Sequence, residues 1–234
     1  MADFVQSARG ILSQSQSRME ATANNVANIT TPGFKTQRLY SDVSADVDSR
    51  ASQTLLKSRL DFDQGRLTKT NNPFDLAVSG AGMFRLRGAD GSVAYTRSGQ
   101  FKRAEDGRVT TSQGLVLQTA DGGDLVAPNA NVQIKADGTV MDAGRPIARL
   151  ALYRPVAGTD VQPLGGALFA ASEGLMEEIA APELRQGMVE SSNVSLADEM
   201  VSMMDALRQA EGGARLVQTY DDLMGKVIQT LGGK

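Results

Sequence analysis

Residues 195–231 read SLADEMVSMMDALRQAEGGARLVQTYDDLMGKVIQTL. Counted from Leu196 in alternating steps of four and three, the chain shows Met200, Met203, Leu207, Ala210, Ala214, Val217, Asp221, Met224, Ile228 and Leu231. All of these but Asp221 are apolar. That is a 3.5-residue repeat, the seam of a supercoiled helix. Ser195 is placed to cap the helix, and Asp198 and Glu199 suit the positive end of its dipole. Gly212-Gly213 costs about 1–2 kcal/mol of helix propensity against two alanines. A lone helix with such a stripe is unstable in water, since burial of the apolar face supplies most of its stability. The stripe therefore needs a cover. It is either packed on the chain's own core or met by a partner helix in a bundle or assembly, and we read the latter.

The other end of the chain offers a helix. All seven prolines lie between positions 32 and 182, so residues 1–31 and 183–234 have none. Proline is excluded from helix interiors, which predicts helical ends around a non-helical middle. Phe4, Ala8, Ile11, Leu12, Met19, Val26 and Ile29 recur at helical spacing, with Ser15 and Thr22 on the same face. This seam is thinner and more polar than the C-terminal one. Asn24, Asn25 and Asn28 mark where the helix ends. Thr31-Pro32-Gly33-Phe34 has the pattern of a type II turn, with Pro second and Gly third. Residues 36–63 show no period and read as an extended connector, with a short strand at residues 58–63.

The middle reads as β structure. Asp-Gly pairs at 90, 106, 121 and 137 predict tight hairpin turns. Apolar-polar alternations flank them at 83–87, 114–118, 132–134 and 147–153. Short strands at this spacing predict a small barrel or sandwich. The fold class is thus α+β, with terminal helices in a coiled-coil-like domain and a central all-β domain.

Composition excludes much chemistry. The 234 residues contain no His and no Cys. This removes Ser-His-Asp and Cys-His catalysis, disulfides and Cys/His metal sites. A net charge of −3 and the absence of Trp argue against a nucleic-acid surface. No stretch is long and apolar enough to cross a membrane. Asp3 stands where a signal peptide needs basic residues, so no cleavable signal is expected. Asp61-Phe62-Asp63-Gln64-Gly65 only faintly matches a calcium loop, lacking its later ligands. Carboxylate pairs such as Asp75 with Glu105, or Asp121 with Asp124, leave a glycosidase as an alternative. We expect no catalytic residues, cofactor or metal.

Taken in order, the motifs resemble a family. Asn24-Asn25-Val26-Ala27-Asn28 followed by Thr31-Pro32-Gly33-Phe34-Lys35 is similar to the signature of bacterial flagellar axial proteins of the rod and hook type. Gly65-Arg66-Leu67, Asn72-Pro73, Asp75-Leu76-Ala77, Gly80, Gly82, Phe84 and Tyr95-Thr96-Arg97-Ser98-Gly99-Gln100-Phe101 continue the match. Asp137-Gly138-Thr139-Val140, Gly187, Glu190, Ser192-Asn193-Val194, Glu199-Met200-Val201 and Arg208 complete it.

The resemblance implies a subunit of the flagellar basal-body rod, exported by the type III apparatus and polymerised helically across the periplasm. Its partners would be copies of itself, other rod proteins, the export apparatus and the rings around the rod. Residues 1–35 and 185–234 would form the inner polymerisation domain, 36–64 a connector and 65–184 the outer β domain. Phe4, Ile11, Leu12, Met19, Val26, Leu196, Met200, Met203, Leu207, Val217, Met224, Ile228 and Leu231 would be the assembly seam. Asn24, Asn25, Asn28, Pro32, Gly33, Phe34 and Asn193 would form the junction between inner helix and connector. A single short β domain favours the proximal over the distal rod. Where relatives often carry an aromatic residue two positions after Arg208, this chain has Ala210, which bears on how closely its last helix packs. A trimeric coiled-coil fibre protein would share the heptads but form a closed three-fold oligomer.

Overall fold

The computed structural model describes residues 2–42, 55–156, 159, 161–171 and 174–232. Residues 43–54 of the expected connector lie outside that set. The chain forms two compact units. One holds the two terminal helices and a strand pair, and the other holds the described parts of 28–36 and 60–194.

In the helical unit, α1 (Ala2–Ala27) packs on α2 (Leu196–Gly232). Between them in sequence, β1 (Gln37–Asp42) pairs with β2 (Leu55–Leu60). The Ser195 hydroxyl accepts from the Asp198 amide at 3.4 Å, and its carbonyl accepts the first helical bond from Glu199. Asn25, near the end of α1, bonds to Glu199, near the start of α2. Gly213, midway along α2, lies against Ile11 and Leu12. The helices are therefore antiparallel. The positions buried between them are small or polar and recur every seven residues. On α1 they are Ala8, Ser15 and Thr22, with Asn25 one turn further on, and on α2 they are Glu199, Ala206 and Gly213. Short side chains let the backbones approach closely. The Ser15 hydroxyl, wholly buried, donates to the Ile11 carbonyl at 2.8 Å, so it carries no unmet hydrogen bond. The double glycine does not break α2, because Gly213 sits where a Cβ would come within 3.2 Å of Ile11 and Leu12.

The second unit is all strand and turn. Its strands are β3 (Leu67–Lys69), β4 (Leu76–Val78), β5 (Met83–Arg87), β6 (Val93–Thr96), β7 (Lys102–Arg103), β8 (Val109–Thr110), β9 (Val116–Leu117) and β10 (Gln133–Ile134). Then come β11 (Thr139–Asp142), β12 (Arg145–Arg149), β13 (Leu152–Pro155), β14 (Gln162–Gly165), β15 (Leu168–Ala170), β16 (Met176–Glu178), β17 (Leu184–Gln186) and β18 (Met188–Glu190). The largest sheet runs β14-β15-β6-β5-β9-β8-β7, with β13 also on β5 and β16 on β13. β10-β11-β12 form a second sheet, and β17-β4 and β18-β3 form two ribbons. Among the described residues no sheet closes on itself. Side-chain alternation along β5 separates two cores. Phe84 and Leu86 enter a cluster with Phe101, Leu117, Val140 and Leu150. Met83 enters the other, with Tyr95, Val161 and Phe169.

Three local expectations change. The Asp-Gly pairs do turn the chain, but not as two-residue hairpins. In each, the glycine is the fourth residue of the turn, has positive φ, and donates back three residues. The bonds are Gly91 to Gly88, Gly107 to Ala104, Gly122 to Thr119 and Gly138 to Lys135, each at 3.0 Å. Asp at the preceding position keeps negative φ, which costs an L residue nothing. At Asp90, Asp106 and Asp137 the side chain accepts the amide two residues on. The two-residue type I′ turn falls instead at Ala143-Gly144, both at positive φ, between β11 and β12. The expected strand at 147–153 is two strands, because the Leu150 amide bonds to Gly138 between them. The expected strand at 58–63 ends at Leu60, since the carbonyls of Asp61 and Asp63 serve side chains instead of a ladder.

Candidate functional site: a buried ionic node and an open helical face

The β unit contains a charged centre. Lys35, Arg97 and Glu190 are almost wholly buried, with side chains 1%, 4% and 0% exposed. Glu190 Oε1 accepts from Lys35 Nζ at 2.7 Å and from the Gly65 amide at 2.9 Å. Its Oε2 accepts from Arg97 Nε at 2.6 Å. Two cations thus meet one carboxylate, and backbone carbonyl dipoles accept further donors from both. Lys35 donates to the Asp63 carbonyl at 2.7 Å. Arg97 donates to the carbonyls of Val78, Gly80 and Gly82. Burial holds the Lys35 ammonium below its ordinary value, against the opposing pull of Glu190. Buried charges are tolerated only when paired in this way.

The junction residues surround this node. Thr31-Pro32-Gly33-Phe34 forms the expected type II turn, with Phe34 donating to Thr31 at 3.2 Å and Gly33 at φ 70°. A Cβ on Gly33 would lie 2.3 Å from the Ser98 amide, and the Gly33 amide donates to the Glu190 carbonyl. Phe34 is buried and Pro32 half-buried. Asn28 accepts the Thr31 hydroxyl at 3.1 Å. Asn193 accepts from the Thr36 amide and hydroxyl and donates to the carbonyls of Asp61 and Asp63. In the helical unit, Asn25 takes both the amide and carbonyl of Gln37 and reaches Glu199 at 3.1 Å. Asn24 is exposed on the last turn of α1.

The seam residues divide. The α2 face that meets α1 is the column Glu199, Met203, Ala206, Ala210, Gly213, Val217, Tyr220 and Met224, all at least half-buried. Met203, Val217 and Met224 of the expected seam belong to it. Leu196, Met200, Leu207 and Ile228 do not: they are 45%, 57%, 47% and 66% exposed. On α1, Ile11, Leu12, Met19 and Val26 are half-buried. The side chains of Phe4 and Leu231 lie outside the described residues. Sequence reasoning placed Lys35, Arg97 and Glu190 in the motifs without seeing that they meet. The signal was there: charged residues embedded among glycines and apolar residues. One member of each proposed carboxylate pair has a structural partner. Asp75 accepts from Asn72, and Asp124 pairs with Arg87 at 2.5 Å.

Two terminal helices that leave a large apolar stripe bare, together with motif residues locked around a buried node, define a structural subunit of the flagellar axial class. Three family models match in order: the flagella basal body rod protein model over residues 6–35, the flagellar hook protein FlgE/F/G D1 domain over 77–142, and the flagellar basal body rod FlgEFG protein C-terminal over 185–230. The chain is 30% identical to the flagellar basal-body rod protein FlgG of Borreliella burgdorferi, over 93% of this chain and 94% of that one. It is 30% identical to the rod protein FlgF of Salmonella typhimurium over 99% of both chains. With FlgF of Caulobacter vibrioides it shares 27% identity over 92% of this chain. The chain belongs to the flagellar basal-body rod protein family. It is a structural subunit of the rod in the basal body, not an enzyme, and it assembles with other rod components.

Proposed function

We propose that the chain polymerises helically in the proximal segment of the rod and there passes torque from motor to hook. The observation that carries this is the bare stripe on α2. Leu196, Met200, Leu207 and Ile228 are apolar, large and uncovered in the single chain. Subunits related by a non-closing rotation and rise bury such stripes against neighbours. Within residues 1–35 and 185–234, α1 and α2 then serve as the inner domain and pack in coiled-coil fashion, with Phe4, Ile11, Leu12, Met19 and Val26 supporting the seam, while Lys35 and Glu190 fold with the β unit. Residues 36–64 are the connector, and 65–184 form a sandwich-like outer domain facing the surrounding rings. Asn24, Asn25, Asn28, Pro32, Gly33, Phe34 and Asn193 hold the junction. The chain reaches the rod through the type III export apparatus. One fact favours the proximal segment over the distal: the β region is one compact unit.

The test is quantitative mass spectrometry of purified basal bodies, together with the variant Leu207→Asp. A few copies per basal body are expected, and the variant is expected to abolish swimming while leaving the β unit folded. Absence of the chain from basal bodies would overturn the rod reading. Normal swimming by Leu207→Asp would sink the helical-interface reading.

A further inference from the structure

The two helices are unequal. α1 has 26 residues and α2 has 37. With Asn25 opposite Glu199 and Gly213 opposite Ile11 and Leu12, the first residue of α1 stands level with about residue 222 of α2 at a common rise per residue. Beyond it, α2 continues alone to Gly232. The column that α1 covers elsewhere runs on into this free end as Val227, which is exposed, as are Leu223 and Ile228 beside it. The helical unit bares a second apolar surface, on the first three turns of α2. There Leu196, Met200, Val201, Met204 and Leu207 are all exposed. The two surfaces differ in charge. Residues 223–232 carry Lys226 and no acid, whereas residues 196–207 carry Asp198, Glu199 and Asp205 and no base. Asp198, Asp205 and Lys226 are exposed.

We propose that the free end of α2, through Leu223, Val227 and Ile228, docks on the first three turns of α2 in a second copy of this chain. The proposal deepens the rod reading above and rests on it. Both halves of the contact are on one chain, at opposite ends of one helix. Each copy therefore offers one of each, and a head-to-tail contact of this kind is heterologous and builds an open filament when its rotation does not close. Lys226 comes to the acidic pair Asp198 and Asp205, which fixes the polarity of stacking, because start-to-start pairing sets acid against acid. The methionines Met200 and Met204 are flexible enough to fit the incoming end as successive copies twist.

The chain has no cysteine, so any disulfide reports an introduced pair. Met204→Cys with Ile228→Cys in one chain, oxidised in purified basal bodies, is expected to give a ladder of dimers and larger multimers of this chain on a non-reducing gel. Each single variant is expected to remain monomeric. The proposal is overturned if the double variant, present at wild-type level, stays monomeric. It is also overturned if Ile228→Cys alone dimerises, or if the new band contains a different rod protein. A charge exchange provides a second route. Lys226→Glu is expected to lower incorporation at least fivefold, and adding Asp205→Lys to restore it to within twofold of wild type; no restoration overturns the contact. Absence of the wild-type chain from basal bodies would remove the rod reading itself, which separates that failure from a failure of this contact.

Discussion

The two units bury opposite kinds of residue. In the β unit the fully buried side chains include large ones: Phe84, Phe169, Leu117, Leu150 and the ionic node. In the helical unit the fully buried positions are small, among them Ala8, Ser15 and Ala206, while Met200, Val201, Met204 and Leu223 lie outside. Burial stabilises by roughly 25 cal/mol per Å² of apolar area. A helix pair that hides its small residues and bares its large ones leaves most of that energy unused. The β unit is complete in one chain. The helical unit has its apolar area still to bury, and under the helical polymerisation proposed above that is where assembly would draw its energy.

The sharpest way to break the closed unit is at Glu190. Removing it leaves Lys35 and Arg97 buried without a counter-charge. Loss of one partner from such a pair costs about 3–5 kcal/mol. Glu190→Ala is expected to lower β-unit stability by that amount. Urea unfolding followed through the near-UV signal of Tyr95 and Tyr153, packed 5.9 Å apart, measures it. A shift below about 1 kcal/mol, within the range of ordinary single substitutions, would mean that the node does not hold the unit together.

A smaller effect is expected at the helix pair. Gly213→Leu forces a side chain where even a Cβ is tight against Ile11 and Leu12. Overpacking of this kind costs about 1–3 kcal/mol, read as an earlier loss of helical far-UV circular dichroism. The outer face behaves differently. Leu207→Asp, on an exposed position, is expected to change single-chain stability by no more than about 0.5 kcal/mol while blocking assembly. If both variants destabilised the isolated chain equally, the distinction between inner and outer faces would collapse.

How much of this was legible in the sequence follows the same division. Local chemistry was readable: the cap at Ser195, the turn at Pro32-Gly33 and the places where the β chain reverses. Helices at both ends were readable from proline and periodicity. The face of α2 that meets α1 was not. Two heptad columns share Met203, Ala210, Val217 and Met224, and a count of apolar residues selects the one carrying Leu196, Met200 and Leu207. The covered column runs through Glu199, Ala206 and Gly213, which score as weak for the very reason that they fit. The node was hidden for another reason. Arg97 and Glu190 are 93 positions apart and Lys35 and Glu190 are 155 apart, so only tertiary folding brings them together. Turn geometry lay between these cases. Asp-Gly marks a reversal without fixing which residue takes positive φ, and at Asp90, Asp106 and Asp137 the Asp side chain braces the turn by accepting an amide.

Those side chains give the smallest of the expected effects, and it also falls on one unit alone. The Asp90 carboxyl is held below its ordinary value by the Ser92 hydroxyl and amide. Asp106 is held down by the amide and then the side chain of Arg108, and Asp137 chiefly by the amide of Thr139. A carboxyl whose folded value is depressed adds stability that is fully present above its unfolded value, here near 3.8, and is lost as pH falls through the lower folded value. All three groups are exposed, so each contribution is slight. The β unit is therefore expected to show no loss from these turns between neutral pH and the ordinary carboxylate range, and a gradual loss below it. In Asp137→Asn the amide oxygen still accepts from Thr139, so neutral stability should change little while the acid limb becomes shallower. Unfolding by urea across a pH series, with tyrosine and helical signals recorded together, compares the two units in one experiment. An acid limb of unchanged slope in Asp137→Asn would remove this carboxylate from the account of acid sensitivity.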